Sequence, residues 1–157
     1  MKFDPATHHR RSIRLQGYDY SQAGAYFVTL CTQNRECLFG EIVNGEMRLS
    51  DSGRIVANVW LKTVEIREEI ELDEWVVMPN HFHGILVLTT TVGAIHESPL
   101  QMTVTQRRNM ALSKIIGRFK MLSAKHINKL RQTPDTKLWQ RNYWEHIVRN
   151  EPELNRI

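Results

Sequence analysis

The sequence has few of the features that mark secreted, disulfide-bonded or membrane proteins. Its 157 residues include only two cysteines, Cys31 and Cys37, which do not form a Cys-x-x-Cys pair, so a disulfide framework is excluded. There is no apolar run near the length of a membrane span and no secretory signal at the N-terminus. Internal repeats and low-complexity tracts are also absent. We therefore expect one soluble, intracellular domain with a real hydrophobic core and no membrane partner.

Charge is distributed unevenly along the chain. The overall net charge is +4. Residues 1–106 carry nine Lys and Arg against thirteen Asp and Glu, whereas residues 107–149 carry eleven against two. Such a concentration of positive charge indicates a polyanionic partner such as nucleic acid, although a solvated helix face would also explain it.

Hydrophobic periodicity predicts the order strand, helix, strand, strand, helix, strand. This is an α+β arrangement, the split βαβ of the ferredoxin-like fold, with an antiparallel sheet and both helices on one face. The predicted elements are a strand at 26–32, a hairpin at 41–49, a helix from about 50 to 69, strands at 72–78 and 82–88, a helix ending at 133–135 and a strand at 138–149. We also expect a basic N-terminal arm at 1–20, a single domain at 21–157 and a loop at 89–106.

The second predicted helix is strongly two-sided. Its apolar positions recur at helical spacing and would face the sheet: Leu112, Ile115, Ile116, Phe119, Leu122, Ile127 and Leu130. Five basic residues fall in one stripe on the other side: Arg107, Lys114, Arg118, Lys125 and Lys129. We expect this stripe to contact phosphates, with Arg10, Arg11 and Arg14 of the N-terminal arm as an additional contact.

The most informative segment is Met-Pro-Asn-His-Phe-His-Gly at residues 78–84, which leads into an apolar strand. Residues i and i+2 of a strand project from the same face, so His81 and His83 can present both imidazoles to one metal ion. On spacing alone, such a pair is more often hydrogen-bonded or solvated than bound to a metal ion.

In its context, this segment resembles the His-hydrophobic-His signature of single-tyrosine transposases, in particular the REP-associated tyrosine transposases of bacteria. Two further segments resemble the same family: Tyr-Phe-Val-Thr-Leu-Cys-Thr at 26–32, and Leu-Trp-Gln-Arg-Asn-Tyr-Trp-Glu-His-Ile-Val-Arg at 138–149. The resemblance covers about residues 10 to 157. Three motifs in the right order make it more specific than any one motif.

The resemblance implies a ferredoxin-like fold with the histidine pair on a central strand. It also implies that His81 and His83 bind a divalent cation, Mg²⁺ or Mn²⁺, and imidazole suits Mn²⁺ better. The implied substrate is single-stranded DNA with hairpin, REP-like elements, nicked and rejoined through a phosphotyrosine intermediate. We expect a cytoplasmic, nucleoid-associated monomer or homodimer.

The family's nucleophile lies on a helix after the last strand, in a Tyr-Ile-x-x-Asn type segment that also supplies the third metal ligand. Residues 150–157 resemble only the start of that helix, so we expect both groups to lie beyond Ile157. Tyr143 is an alternative nucleophile, but packing explains it better. His146 and His126 are better explained as structural histidines. The rival hypothesis is a non-catalytic module that binds single-stranded nucleic acid with the same fold.

Overall fold

The computed structural model describes residues 22–89, 111–148 and 150–154. Two helices and six strands carry the architecture, and two further helices have only four residues each. The strands are β1 (Gly24–Cys31), β2 (Gly40–Val43), β3 (Glu46–Leu49), β4 (Ile70–Met78), β5 (His81–Leu88) and β6 (Trp144–Val148). The helices are α1 (Asp51–Leu61), α2 (Thr63–Ile66), α3 (Ala111–Arg131) and α4 (Glu151–Leu154).

Four strands form one antiparallel sheet in the order β4-β5-β1-β6. Both neighbours of β1 are antiparallel to it, and so is the β4–β5 pair. The two central strands are therefore β5 and β1. In sequence order, β1 is the first and β5 the third of the four strands in this sheet. Together with α1 and α3 this gives the predicted ferredoxin-like α+β fold, which is confirmed.

The core lies between one face of the sheet and the two long helices. Because side chains alternate along a strand, Tyr26, Val28 and Leu30 of β1 all project to this face and are buried. The Trp60 ring of α1 packs against the Phe82 ring of β5, with ring centroids 4.8 Å apart. The Phe119 ring of α3 packs against the Phe82 ring in turn, at 5.3 Å. The other face of the sheet is therefore left uncovered by α1 and α3.

The predicted hairpin is confirmed as β2 and β3, which pair antiparallel. Its turn residues, Asn44 and Gly45, have φ of 53° and 80°. Two successive positive φ values are what a two-residue hairpin turn requires, and the Asn-Gly dipeptide supplies them at low cost. Ser50 caps the start of α1, because its side chain accepts a hydrogen bond from the Gly53 amide.

Three boundaries differ from the sequence prediction. The first helix breaks at Lys62, so Val64 lies in α2 and is exposed. Leu130, predicted on the apolar side, lies in the last turn of α3 and is 50% exposed. The final strand begins at Trp144. The segment before it pairs with the residues after β1 only through an isolated bridge between Thr32 and Trp139, and the indole Nε1 of Trp139 donates a hydrogen bond to Ser123 Oγ of α3.

Several predictions fall outside the described residues, including the basic arm at 1–20, the loop at 90–106, Arg107 and the end of the chain after Leu154. Among the described helices, no helix is long and apolar enough to cross a membrane.

Candidate metal and nucleic-acid site

His81 and His83 lie on the uncovered face of the sheet, as the alternation predicts. Their cross-strand neighbours are Cys31 and Thr29 of the central strand β1 and Met78 and Val76 of β4. The two imidazole rings are adjacent, with centroids 4.7 Å apart and planes at 76°. Both side chains are half-buried, so the rings are held in place and still open to one side.

Each of these histidines uses its Nδ1 atom in a hydrogen bond. His81 Nδ1 lies 2.8 Å from the side-chain oxygen of Asn80, and His83 Nδ1 lies 2.8 Å from the hydroxyl of Thr29. Neither Nε2 atom has a hydrogen-bond partner among the described residues. A histidine that ligates a metal through one ring nitrogen commonly donates the other N–H to an oxygen. The geometry of the pair fits this pattern.

Burial lowers the pKa of both imidazoles below the ordinary value of 6.5. For His83, desolvation is the larger cause, and repulsion from His81 adds to it. A lowered pKa keeps both rings neutral at neutral pH. Neutral imidazole is the form that binds a metal ion.

The pair supplies two ligands, and the described residues contain no group of three or more His, Cys, Asp or Glu side chains that could hold a metal ion. Two imidazole nitrogens hold a divalent cation weakly. Further ligands would have to be water, a substrate phosphate or residues outside the described ranges.

A row of aromatic rings continues from the histidines across the uncovered face to β6. The Phe27 ring of β1 stacks on the His83 ring, with centroids 5.3 Å apart, and meets the Trp144 ring edge-on at 5.8 Å. Trp144 stacks in parallel on His146 at 5.8 Å and is 45% exposed. This face therefore offers flat apolar rings directly beside the histidine pair.

His146 itself has a structural partner. Its Nε2 atom lies 2.5 Å from the Glu153 carboxylate of α4, which ties the short helix to the uncovered face. This contact agrees with the interpretation of His146 as a structural histidine. His126 lies on the exposed part of α3, and Tyr143 packs against the core cluster just before β6.

The basic stripe lies on the opposite side of the molecule from the histidine pair. Lys114, Arg118, Lys125 and Lys129 are all exposed on α3, whose apolar side packs on the core face of the sheet. The stripe and the pair are therefore separated by the thickness of one helix and one sheet, roughly 15 to 20 Å. Arg118 also lines a groove between α3 and the α1–α2 segment, together with Lys62 and Arg67.

Three residues of this region were missed by reasoning from the sequence. Asn80 lies between two predicted strands and Thr29 lies within another, and no sequence pattern indicates the contacts of either, because those contacts depend on how the chain packs. Lys62, between α1 and α2, lines the same groove as Arg118 of α3. A pattern along a single helix cannot reveal that these two residues are close.

Comparisons with known proteins found similar sequences and structures. No protein-family profile matches the chain. An uncharacterized protein of Haemophilus influenzae is 42% identical over 160 residues, which cover 99% of this chain and 88% of the relative.

Two solved structures are similar to this chain. One is a REP-associated tyrosine transposase bound to a REP hairpin, with a TM-score of 0.55, 18% identity and coverage of 96% of this chain and 67% of that one. The other is a candidate transposase from Deinococcus radiodurans, with a TM-score of 0.47, 17% identity and 90% coverage of both chains. At such low identity the first likeness shows a shared fold.

Proposed function

We propose that this chain, which belongs to the same family as the Haemophilus influenzae protein, is a transposase-type protein. In this role it binds hairpin-bearing single-stranded DNA and nicks and rejoins one strand. The observation that carries the proposal is the pair of neighbouring imidazoles, His81 and His83, on the uncovered face of the sheet. Simple nucleic-acid binding does not require such a pair. The fold shared with a transposase bound to a REP hairpin supports the choice of DNA substrate.

In this proposal the Nε2 atoms of His81 and His83 bind a divalent cation, and two nitrogen ligands favour Mn²⁺ over Mg²⁺. The cation would polarise the scissile phosphate and stabilise the charge that develops on it. The half-buried position of both rings limits their movement and keeps them neutral. The uncovered face leaves room for a DNA strand to approach them.

The basic residues would hold the DNA backbone by phosphate contacts that carry no sequence information. Lys114, Arg118, Lys125 and Lys129 form this surface on α3, and the proposal adds Arg107 and the arm residues Arg10, Arg11 and Arg14. Because the stripe and the histidine pair lie on opposite sides of the sheet, one DNA molecule that contacts both must pass around an edge of the domain. A hairpin with a single-stranded tail has the two parts that such a path needs.

The proposed chemistry uses a tyrosine nucleophile, as the resemblance implies. The tyrosine oxygen loses its proton and attacks the scissile phosphorus, the bond from phosphorus to the 3′ oxygen breaks, and the 3′ oxygen takes up a proton. The 5′ phosphate stays esterified to the tyrosine, so a 3′-hydroxyl can later reverse the step without ATP. The resemblance implies that this tyrosine lies on a helix after the last strand. Tyr143 is the alternative within the chain, and its packing against the core argues against it.

A second candidate function is a non-catalytic module that binds single-stranded nucleic acid. The ring row of Phe27 and Trp144 favours it, because nucleobases stack on exposed aromatic side chains without any metal. The two candidates differ in whether the histidines and a cation are needed once the DNA is bound.

The test is a labelled hairpin oligonucleotide with a single-stranded tail, incubated with Mn²⁺ or Mg²⁺ and run on a denaturing gel. We expect a cation-dependent covalent adduct from a version of the protein that carries the expected tyrosine helix, and none from the 157-residue chain. His81→Ala and His83→Ala should abolish the adduct and leave DNA binding largely intact. His126→Ala is the matched control and should form the adduct normally.

Two results would decide against this assignment. If the version with the tyrosine helix binds the hairpin but forms no adduct, the binding module is the better account. If the 157-residue chain forms an adduct that disappears in Tyr143→Phe, the nucleophile is Tyr143.

A further inference from the structure

We infer that Asn80 is a positioning residue, which fixes His81 in the tautomer with the proton on Nδ1 and so leaves Nε2 free to bind a metal ion. The inference deepens the proposed function and rests on it only where it concerns the metal. The tautomer itself is a property of the metal-free protein and can be measured there.

The turn that contains Asn80 is held on both sides by the segment after β1. The backbone oxygen of Asn80 accepts hydrogen bonds from the Thr32 amide and from the Thr32 hydroxyl, both at 3.0 Å. The backbone oxygen of Pro79 accepts a hydrogen bond from the Phe39 amide at 3.0 Å. Thr32 and Phe39 are completely buried, so the turn is anchored to the interior.

The side-chain amide of Asn80 has a defined orientation. Its Nδ2 atom donates to the backbone oxygen of Arg35 at 3.3 Å. A carbonyl oxygen can only accept, so the amide nitrogen must face Arg35 and the amide oxygen must face His81. The oxygen lies 2.8 Å from His81 Nδ1. Arg35 itself is held at a φ of 55°, an unusual conformation for a residue with a side chain, and its carbonyl is the group that orients Asn80.

This arrangement determines the protonation of the neutral His81 ring. An amide oxygen accepts hydrogen bonds and donates none, so the 2.8 Å contact is a hydrogen bond only if Nδ1 carries the proton. The other nitrogen, Nε2, then has its lone pair available. Without such a partner, a neutral imidazole exchanges between its two tautomers, and the fraction with the proton on Nε2 cannot ligate through that atom.

The tautomer of His83 is not determined in the same way as that of His81. Its Nδ1 partner is the hydroxyl of Thr29, which can either donate or accept. The Thr29 contact therefore does not determine the tautomer of His83 as the Asn80 contact does for His81. Asn80 and Thr29 thus give different predictions for neighbouring rings on the same strand.

The test is a long-range ¹H–¹⁵N NMR spectrum of the metal-free protein at a pH where both rings are neutral, because it distinguishes the two tautomers of each histidine. We expect His81 of the wild type to show one tautomer, with the proton on Nδ1. Asn80→Ala should give a mixture for His81 and leave the tautomer of His83 unchanged. Asn80→Asp keeps an oxygen acceptor and should preserve the Nδ1 proton. Asn58→Ala, an exposed change on α1, is the control and should change neither ring.

A wild-type His81 with its proton on Nε2 would overturn the inference whatever the variants do, so it does not depend on Asn80→Ala folding. An unchanged His81 tautomer in a folded Asn80→Ala protein would overturn it equally. The functional part is tested by Mn²⁺ titration, where loss of this kind of oxygen partner should weaken affinity roughly 10- to 100-fold. Asn80→Asp should restore most of it. If the wild type binds no Mn²⁺ while the tautomers behave as expected, the metal assignment fails and the positioning role of Asn80 stands.

Discussion

Gly84, between His83 and Ile85 on the central strand β5, offers a stringent test of how the site is packed. A Cβ atom at this position would lie 2.7 Å from Cζ2 of Trp60 and 2.9 Å from Cε1 of Phe82. Carbon atoms in contact prefer about 3.5 to 4.0 Å, so an alanine here is roughly 1 Å too close to Trp60. Both aromatic rings are completely buried and contact each other, which leaves little room for them to move.

We expect Gly84→Ala to lower the free energy of unfolding by about 1 to 3 kcal/mol, the usual cost of overpacking a core. Gly117→Ala is the matched control, since it is the same chemical change at an exposed position of α3. Apart from the neighbouring backbone of α3 itself, no atom lies within 4 Å of its added Cβ, and replacing a helical glycine with alanine stabilises by about 1 kcal/mol. The two variants should therefore shift stability in opposite directions.

Urea denaturation followed by tryptophan fluorescence measures both variants against the wild type. In a thermal scan each kcal/mol corresponds to a shift of roughly 2 to 4 °C for a domain of this size. A Gly84→Ala protein as stable as the wild type would refute the close packing of Trp60 on β5. A Gly117→Ala protein that is less stable would refute the exposure of that part of α3.

Three further predictions concern the histidine pair, the basic stripe and the Trp139 contact. Burial lowers the pKa of His81 and His83 below 6.5, so the unfolded chain binds more protons than the folded one as the pH falls below that value. The free energy of unfolding should therefore be highest above pH 6.5 and decline toward the lowered pKa values. In a His81→Asn/His83→Asn protein the decline should be smaller when unfolding is measured across the same pH range. Reversing the charge of Lys114, Arg118 and Lys125 should reduce the slope of log affinity against log salt concentration by roughly 0.7 for each lost contact with a single strand. The control, Arg48→Glu on the β2–β3 hairpin, should leave this slope unchanged. An unchanged slope in the triple variant would show that the DNA does not contact this stripe. Ser123→Ala should lower the free energy of unfolding by about 1 to 3 kcal/mol, because it leaves the buried indole N–H of Trp139 without its acceptor. The same change should have a smaller effect in a Trp139→Phe protein. Equal effects in the two proteins would disprove the contact.

Much of the fold could be predicted because its elements are patterned locally. The alternation along β1 and β5 and the helical spacing of Leu112 to Ile127 each identify an element and its buried side. The late start of β6 could not be predicted, since it depends on contacts between distant segments. The backbone around Trp139 pairs with Thr32 through a single bridge, and the hydrogen bond from Trp139 to Ser123 attaches the same segment to α3.

The site was predictable in part for the same reason. The i, i+2 spacing of His81 and His83 is a local signal, and the structure confirms that both lie on one face. The hydrogen-bond partners of the pair were not predictable. Thr29 meets His83 through the cross-strand register, and Asn80 is oriented by a carbonyl 45 residues away. The separation of the basic stripe from the pair follows from the layering of the fold, in which α3 lies on the opposite side of the sheet.

The central claim is that His81 and His83 together bind a divalent cation. A calorimetric titration of the metal-free protein with Mn²⁺ tests it most directly, with His81→Ala, His83→Ala and the control His126→Ala. We expect weak binding at one site in the wild type and in His126→Ala, and a large loss of affinity in each of the other two variants. Equal Mn²⁺ affinity in all four proteins would contradict the claim.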